Sequence, residues 1–336
     1  MLNLLLNEDE AMIAESVRQF LAEELPLERL RPKAAVVDND SIYRDMARLG
    51  WFGVGLSEAA GGSGLGLVEE MLIQREFGRY VASPSTLAAV LAGHVAAEAG
   101  DNSMADSFAT GEARAGLALL LAETGSSVPV LVFDRRDRDT VVAWTQEGIG
   151  LFGPDALNDL RDDDCIDDSI SMQVGTLSPD KALHWVAAEK SDLILRTQLL
   201  LAAALSGLAD QSCNITVEYA KVREQFGQPI GGFQAVKHRC ADMGMRARLA
   251  WYQTNVAALK LEAGEDDAAL QVASALLVAT EAAHENGRAG IQIHGGIGFQ
   301  AECDIHWFMK RAHIYDRLAG GREAVAHQVL NQPALF

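Results

Sequence analysis

The sequence predicts a mainly α-helical fold with a small β segment in its middle. Three observations predict it. Apolar residues recur at helical spacing, in Ala- and Leu-rich stretches, at both ends of the chain. Between them lie short β-branched runs separated by turn residues. Glycine clusters then punctuate the helical parts.

Residues 1–112 read as a helical domain. Met12, Ile13, Val17, Phe20 and Leu21 recur at helical spacing with charges between them. A second helix fits Ile42 to Leu49, and Gly50 stops it. The stretch from Trp51 through Gly61, Gly62, Gly64 and Gly66 is a loop, and a helix resumes from Leu67 to about Tyr80. Residues 113–187 form a short β-domain. Val128–Phe133 and Thr140–Trp144 flank a charged turn, which reads as a hairpin. The acidic run Asp159–Asp168 reads as a solvated loop, and Trp144 and Trp185 as packing residues. Residues 188–336 are helical again. A stretch from Leu193 to about Cys213 is apolar nearly all round and predicts a buried helix. Further helices fit Phe233–Ala263 and Ala268–Arg288, and a glycine turn follows at Gly295–Gly298.

The chain has 336 residues, enough for several cooperating domains. Its formal net charge of −19 repels polyanions, so neither nucleic acid nor an anionic membrane is an expected partner. A small anionic ligand held by local arginines and backbone N–H groups stays compatible with that charge. Cys165, Cys213, Cys240 and Cys303 are scattered and form no CxxC pair, which fits a reducing, cytoplasmic setting. The N-terminal apolar run is too short for a signal-peptide core. No stretch approaches the roughly 18 to 20 continuous apolar residues of a membrane span without an interrupting charge or glycine.

Two motifs carry possible chemistry. In the first, Arg223 offers a fixed fork of donors for a phosphate, Phe226 a flat face, and Gln234 an amide suited to a purine edge. An ordinary helix–helix turn with a surface arginine is the alternative reading. In the second, Gln292 is followed by His294, Gly295, Gly296 and Gly298. Such glycines let backbone approach a ligand and turn N–H groups outward, although a helix C-cap has the same look. No strand leads into this turn, so a Rossmann reading fails. His294 and His306 read as packed or capping residues, and no metal site is expected.

Taken together and in this order, the motifs resemble the acyl-CoA dehydrogenase family, whose pattern is Arg-x-x-Phe-Gly…Gln followed by Gln-x-x-Gly-Gly-x-Gly. The segment from Ala47 to Gly66 is similar to the family's N-terminal glycine loop, with Glu58 at its acidic position and Ser57 where proline is usual. The resemblance implies an N-terminal helical domain, a β-domain and a C-terminal four-helix bundle. It further implies FAD as cofactor and α,β-dehydrogenation of an acyl-CoA thioester. Carried over position by position, it assigns Arg223, Phe226, Gln234, Gln292, Gly295 and Gly296 to the ADP half of an FAD whose ring lies in a neighbouring subunit.

The chain departs from the family on the reacting side. The usual catalytic Glu falls on Ala319, and a methyl group accepts no proton. The family's second site for a base falls on Thr197. Asp316 and Glu323 stand close in sequence to Ala319 and are the remaining carboxylates to weigh, although solvent-facing or ion-paired roles are the commoner fate of such residues. Leu121–Ser127, with Glu123, is a faint echo of one flavin loop, and the Trp-bearing hairpin of the family has no counterpart. The pattern is similar to the shortened subunit of a heteromeric, steroid side-chain type enzyme. It implies a homologous partner carrying the Glu, a heterotetrameric assembly, and an electron-transfer flavoprotein-like acceptor. A self-sufficient homo-oligomer with a relocated carboxylate and a non-catalytic scaffold are the two alternatives.

Overall fold

The computed structural model describes residues 4–32, 39–122, 124–136 and 138–332. The chain divides into two compact units. One comprises Met1–Val37, Met71–Ala82 and Gln198–Phe336; the other comprises Asp38–Glu70 and Ser83–Thr197. Helices α3 (Leu67–Arg79) and α6 (Leu193–Val222) contribute residues to both.

The first unit begins with α1 (Glu8–Glu24). Asn7 and Glu10 form a reciprocal capping box there, each side chain bonding the other's backbone N–H. Met12, placed on the apolar face by its spacing, is largely exposed, whereas Val17 and Leu21 are fully buried. The C-terminal four-helix bundle is α6 with α7 (Gln234–Glu262), α8 (Ala268–His294) and α9 (Ile305–Leu318), and α10 (Arg322–Leu330) follows. One buried amide ties three of these helices. The Asn286 Nδ2 group on α8 donates to the Ala209 carbonyl on α6 at 3.0 Å and to the Met243 carbonyl on α7 at 2.9 Å. Such bonds matter because a buried carbonyl left unmet is costly. Where α3 passes α6, Gly78 lies against the Ala204 backbone and Gly207 against the Arg75 backbone, closer than any Cβ would permit. Alongside, the buried Glu76 carboxylate pairs with Arg18, Arg75 and Arg79, and Asp210 receives Arg75 and Arg79. Helix α6 is by length and composition apolar enough to cross a membrane, although Gly207 and Asp210 interrupt its apolar run; its apolar stretch is 72% buried within the fold.

The second unit holds α2 (Asn39–Arg48), α4 (Ser85–Glu98), α5 (Asn102–Ala109) and a seven-stranded sheet. Helix α4 is buried almost all round. The strands are β1 (Ala115–Leu120), β2 (Val128–Phe133), β3 (Thr140–Trp144), β4 (Gly148–Phe152), β5 (Leu157–Asp163), β6 (Met172–Leu177) and β7 (Ala182–Ala187), in spatial order β5-β6-β2-β1-β3-β4-β7. Val130, Val132, Val141, Ala143, Phe152 and Leu177 form its apolar core.

Two expectations fail here. The runs 128–133 and 140–144 are strands, but they do not pair as a hairpin. β1 lies between them, antiparallel to β2 and parallel to β3. The charged turn instead carries the chain across β1, where Gly116 presents no side chain and Arg135 packs on its backbone. The acidic run is not all loop either, since Leu157–Asp163 is strand β5. It pairs with β6 alone, at the sheet edge, so one side of its backbone joins the ladder while the other side and its carboxylates stay in water. Trp185, on the opposite edge strand, packs over Gly148 and Gly150 yet stays partly exposed. Glu123 lies outside the described residues.

This unit also contains a buried charge cluster that no sequence pattern signals. Glu70 on α3 is 2% exposed. The His94 Nε2 on α4 lies 2.6 Å from its Oε1, and Arg196, at the start of α6, bonds its Oε2. Burial alone would raise the Glu70 pKa, but His94 and Arg196 together outweigh burial and hold the carboxyl at about 2.

Candidate cofactor-binding surface

Helix α6 runs past Cys213 to Val222, and the first motif begins where it stops. The Arg223 N–H still donates to the Tyr219 carbonyl at 2.9 Å, and the Ile230 N–H donates to the Arg223 carbonyl at 2.7 Å. Between these bonds lies a two-residue hairpin, β8 (Glu224–Gln225) against β9 (Gln228–Pro229), rather than a plain helix–helix turn. Its tip is Phe226 at φ 52° and Gly227 at φ 78°. A turn of that hand needs left-handed backbone at both tip positions, which suits Gly and costs Phe about 1 kcal/mol. Phe226 nevertheless occupies it and stands 92% exposed, touching only the edge of Phe233 with ring centroids 6.1 Å apart. A strained backbone that holds a large apolar ring in solvent gains nothing in the isolated chain.

Gln234 opens α7 and is exposed. The second motif is split by the structure. Helix α8 continues beyond Arg288 to His294, so Gln292 sits in its last turn, exposed. Gly295 stops the helix at φ 64°, ψ −143°, a conformation open only to glycine, and Gly295–Phe299 form a single 3₁₀ turn. Nothing lies within 4 Å of where a Cβ of Gly295 or Gly296 would stand, so both backbones are approachable from solvent.

The two motifs are joined by a contact that the sequence does not announce. Tyr219, one turn before Arg223, stacks on His294 at 4.1 Å and 19°, and its hydroxyl donates to the His294 carbonyl at 3.4 Å. His294 itself is buried and uses its ring Nδ1 on the Gly290 carbonyl at 2.7 Å. Burial lowers its pKa, so it packs as a neutral ring. His306 likewise packs, against Trp307. Arg223 has no ion-pair partner among the described residues and is exposed. An unpaired guanidinium, an uncovered ring, two exposed amides and two open glycines thus share one end of the bundle. That set suits a nucleotide with its phosphates, provided something else covers the far side.

The positions expected to remove a proton are differently placed. Ala319 caps the end of α9 and is buried. Asp316, one turn earlier, faces α8, with its Oδ2 3.4 Å from His284 Nε2. Glu323 is exposed in the first turn of α10. The Thr197 hydroxyl is buried and donates to the Leu193 carbonyl at 2.7 Å. None of these offers a free, directed carboxylate. Among the described residues, no group of three or more His, Cys, Asp or Glu is placed to hold a metal ion.

Residues 7–111 match the acyl-CoA dehydrogenase N-terminal domain, and residues 191–332 match the acyl-CoA dehydrogenase C-terminal domain. The acyl-CoA dehydrogenase FadE34 of Mycobacterium tuberculosis is 31% identical over 298 residues, 83% of this chain and 40% of that protein. The chain spans less than half the length of the first curated relatives it matches. Among solved structures, the ChsE4–ChsE5 complex from Mycobacterium tuberculosis is 21% identical, with a TM-score of 0.77 over 99% of this chain and 100% of that one. The Tcur3481–Tcur3483 steroid ACAD is 24% identical, with a TM-score of 0.77 over 96% of this chain and 97% of that one. At these identities the solved structures establish the fold.

Proposed function

The chain belongs to the acyl-CoA dehydrogenase family, and from that premise we propose that it is one subunit of a heteromeric enzyme, supplying the ADP side of an FAD site that a partner completes. FAD is the cofactor of this family. The observation that carries the proposal is the split between the two halves of the site. The ADP-side residues are exposed and unpaired, while the position of the family's Glu is Ala319, a buried methyl group.

In this reading the Arg223 guanidinium holds a phosphate, the Phe226 ring covers a flat face, and the Gln234 and Gln292 amides bond the adenosine portion. The bare backbone at Gly295 and Gly296, with nothing where a Cβ would stand, lets the diphosphate approach closely. When bound, FAD supplies the acceptor for the hydride leaving the acyl β-carbon. Removal of the α-proton needs a carboxylate within about 3 Å of the acyl α-carbon, and this duty falls to the partner's Glu. The description of a structural relative as a steroid ACAD supports a bulky polycyclic acyl-CoA as substrate; an α2β2 assembly and an electron-transfer flavoprotein-like acceptor complete the proposal. The four cysteines are free thiols, in keeping with a cytoplasmic setting.

The test is flavin stoichiometry. The purified chain should hold almost no FAD and dehydrogenate no acyl-CoA. Co-expressed with a fuller homologue that carries the Glu, it should yield one FAD per heterodimer and an active enzyme. A flavin-saturated, active homo-oligomer of this chain alone would overturn the proposal in favour of a base such as Asp316. Inactivity with every homologous partner would favour a scaffold.

A further inference from the structure

The sheet of the second unit ends on two edge strands that are protected very differently. β5, at one edge, carries the exposed charges Asp159, Arg161, Asp162 and Asp163, the usual defence of an open strand. β7, at the other edge, reads Ala-Leu-His-Trp-Val-Ala and holds no Asp, Glu, Lys or Arg. Leu183 and Trp185 stand on its outer face, 47% and 43% exposed, while Val186 points the other way and is buried. Trp185 lies on Gly148 and Gly150, and Leu183 on Gly153, so both side chains are laid flat along the edge. The His184 and Val186 carbonyls lie beside Gly150 and Gly148, and the Ala188 N–H donates to the Glu147 carbonyl at 2.8 Å. Strand backbone alternates, so Trp185 turns its N–H and C=O away from β4. Among the described residues no strand pairs with β7 on that side. A six-residue apolar edge with an exposed tryptophan and an open backbone is a template for another strand.

We infer that β7 docks the β7 of a second copy of this chain, antiparallel about a two-fold axis at Trp185, so that the two sheets join edge to edge. A two-fold contact sets each residue opposite the one equally far beyond the axis, so a self-docking edge must complement itself. The charges that flank β7 do. Asp180 and Lys181 lie five and four residues before Trp185, and Glu189 and Lys190 lie four and five after it. All four are exposed. Asp180, Glu189 and Lys190 make no ion pair among the described residues, and Lys181 reaches the Asp155 carbonyl at 3.2 Å. The two-fold brings Lys181 of one copy to Glu189 of the other and Asp180 to Lys190, at both ends of the ladder. Pairing must keep Leu183 and Trp185 on one face, so the register can slip only in steps of two. One step either way sets Asp180 against Asp192 or against Ala188, and the complementarity is lost. A parallel pairing would set like charges together. The charges thus select this register. In it the Trp185 N–H of each copy donates to the Trp185 carbonyl of the other and the two rings stand side by side. Leu183 meets the small Ala187 of the other copy.

The contact uses no residue of the FAD surface, so its test is independent of the proposed function. Trp185→Arg in the purified full chain should halve the mass of the sedimenting particle at micromolar concentration, with unchanged circular dichroism. A chain carrying both Leu183→Cys and Ala187→Cys should, on mild oxidation, form a disulfide between positions 183 and 187, found by mass spectrometry of the digest. Those positions lie about 13 Å apart within one strand, too far for a disulfide, so the link joins two copies. Asp180→Lys and Lys190→Asp should each weaken self-association by about fivefold, and the two together should restore most of that loss. A particle mass indifferent to Trp185→Arg would overturn the inference. So would the absence of the 183–187 link, or a double reversal no better than the single changes.

Discussion

Replacing Glu70 by Gln tests whether the cluster with His94 and Arg196 stabilises its unit or merely decorates it. Glutamine keeps the size and much of the hydrogen bonding but removes the charge that Arg196 and the His94 ring face. The carboxyl is held at about 2 against its ordinary 4.5. A difference of that size corresponds to about 3 kcal/mol of interaction with the ionised form. Breaking one partner out of a buried pair costs a similar amount, about 3 to 5 kcal/mol. The sign follows from the lowered pKa. The contribution is complete above pH 4.5 and is lost as pH falls from there toward 2, where the folded protein must also take up the proton. Thermal unfolding of wild-type and E70Q chains, followed at pH 7 and in steps down to pH 3, measures both effects. The expected result is a transition lowered on the order of 10 °C at neutral pH for a unit of this size, and a difference that narrows as the pH falls below 4.5. If E70Q unfolds within about 1 °C of wild type at pH 7, or if the gap stays constant down to pH 3, the reasoning is wrong.

Three further outcomes follow from the same structure. Arg223→Ala should leave the stability of the isolated chain unchanged, because the side chain is exposed and unpaired, yet weaken FAD binding by the partnered enzyme by about 2 kcal/mol, read by flavin titration. Phe226→Asn should stabilise the free chain by about 1 kcal/mol in denaturant titrations, because asparagine tolerates the left-handed turn, while lowering flavin occupancy of the complex. Asn286→Ala should destabilise by about 1 to 3 kcal/mol in the same titrations, since it removes the two buried hydrogen bonds that tie α8 to α6 and α7.

Much of this protein was legible in its sequence, and the legible parts share a cause. Helices and their stops depend on neighbours three or four residues away, so α2 with its Gly50 stop and the buried α6 followed from local pattern. The two motifs were legible because a strained tip and an open glycine stop each leave a local signature at Phe226–Gly227 and at Gly295. The alanine at 319, where the family resemblance places a Glu, was legible as a letter.

Other features depend on residues far apart in the chain. The β strands alternate too little to reveal their partners. Ala115–Leu120 and Gly148–Phe152 are buried nearly throughout, and only the sheet order shows that β1 separates β2 from β3. Glu70 sits in a helix beside other acids, and nothing local says that it meets His94 and Arg196, 24 and 126 residues away. Tyr219 and His294 lie 75 residues apart, and their stacking is what brings the two motifs to one end of the bundle. The sequence by itself determined that both ends of the chain are helical, which residue types suit an ADP moiety, and that alanine stands at 319, because backbone preference and side-chain chemistry are local. Only the tertiary structure decided that those residues gather on one exposed surface and that the charges of α3, α4 and α6 are buried together, because burial and long-range contact belong to the packed chain and not to any stretch of it.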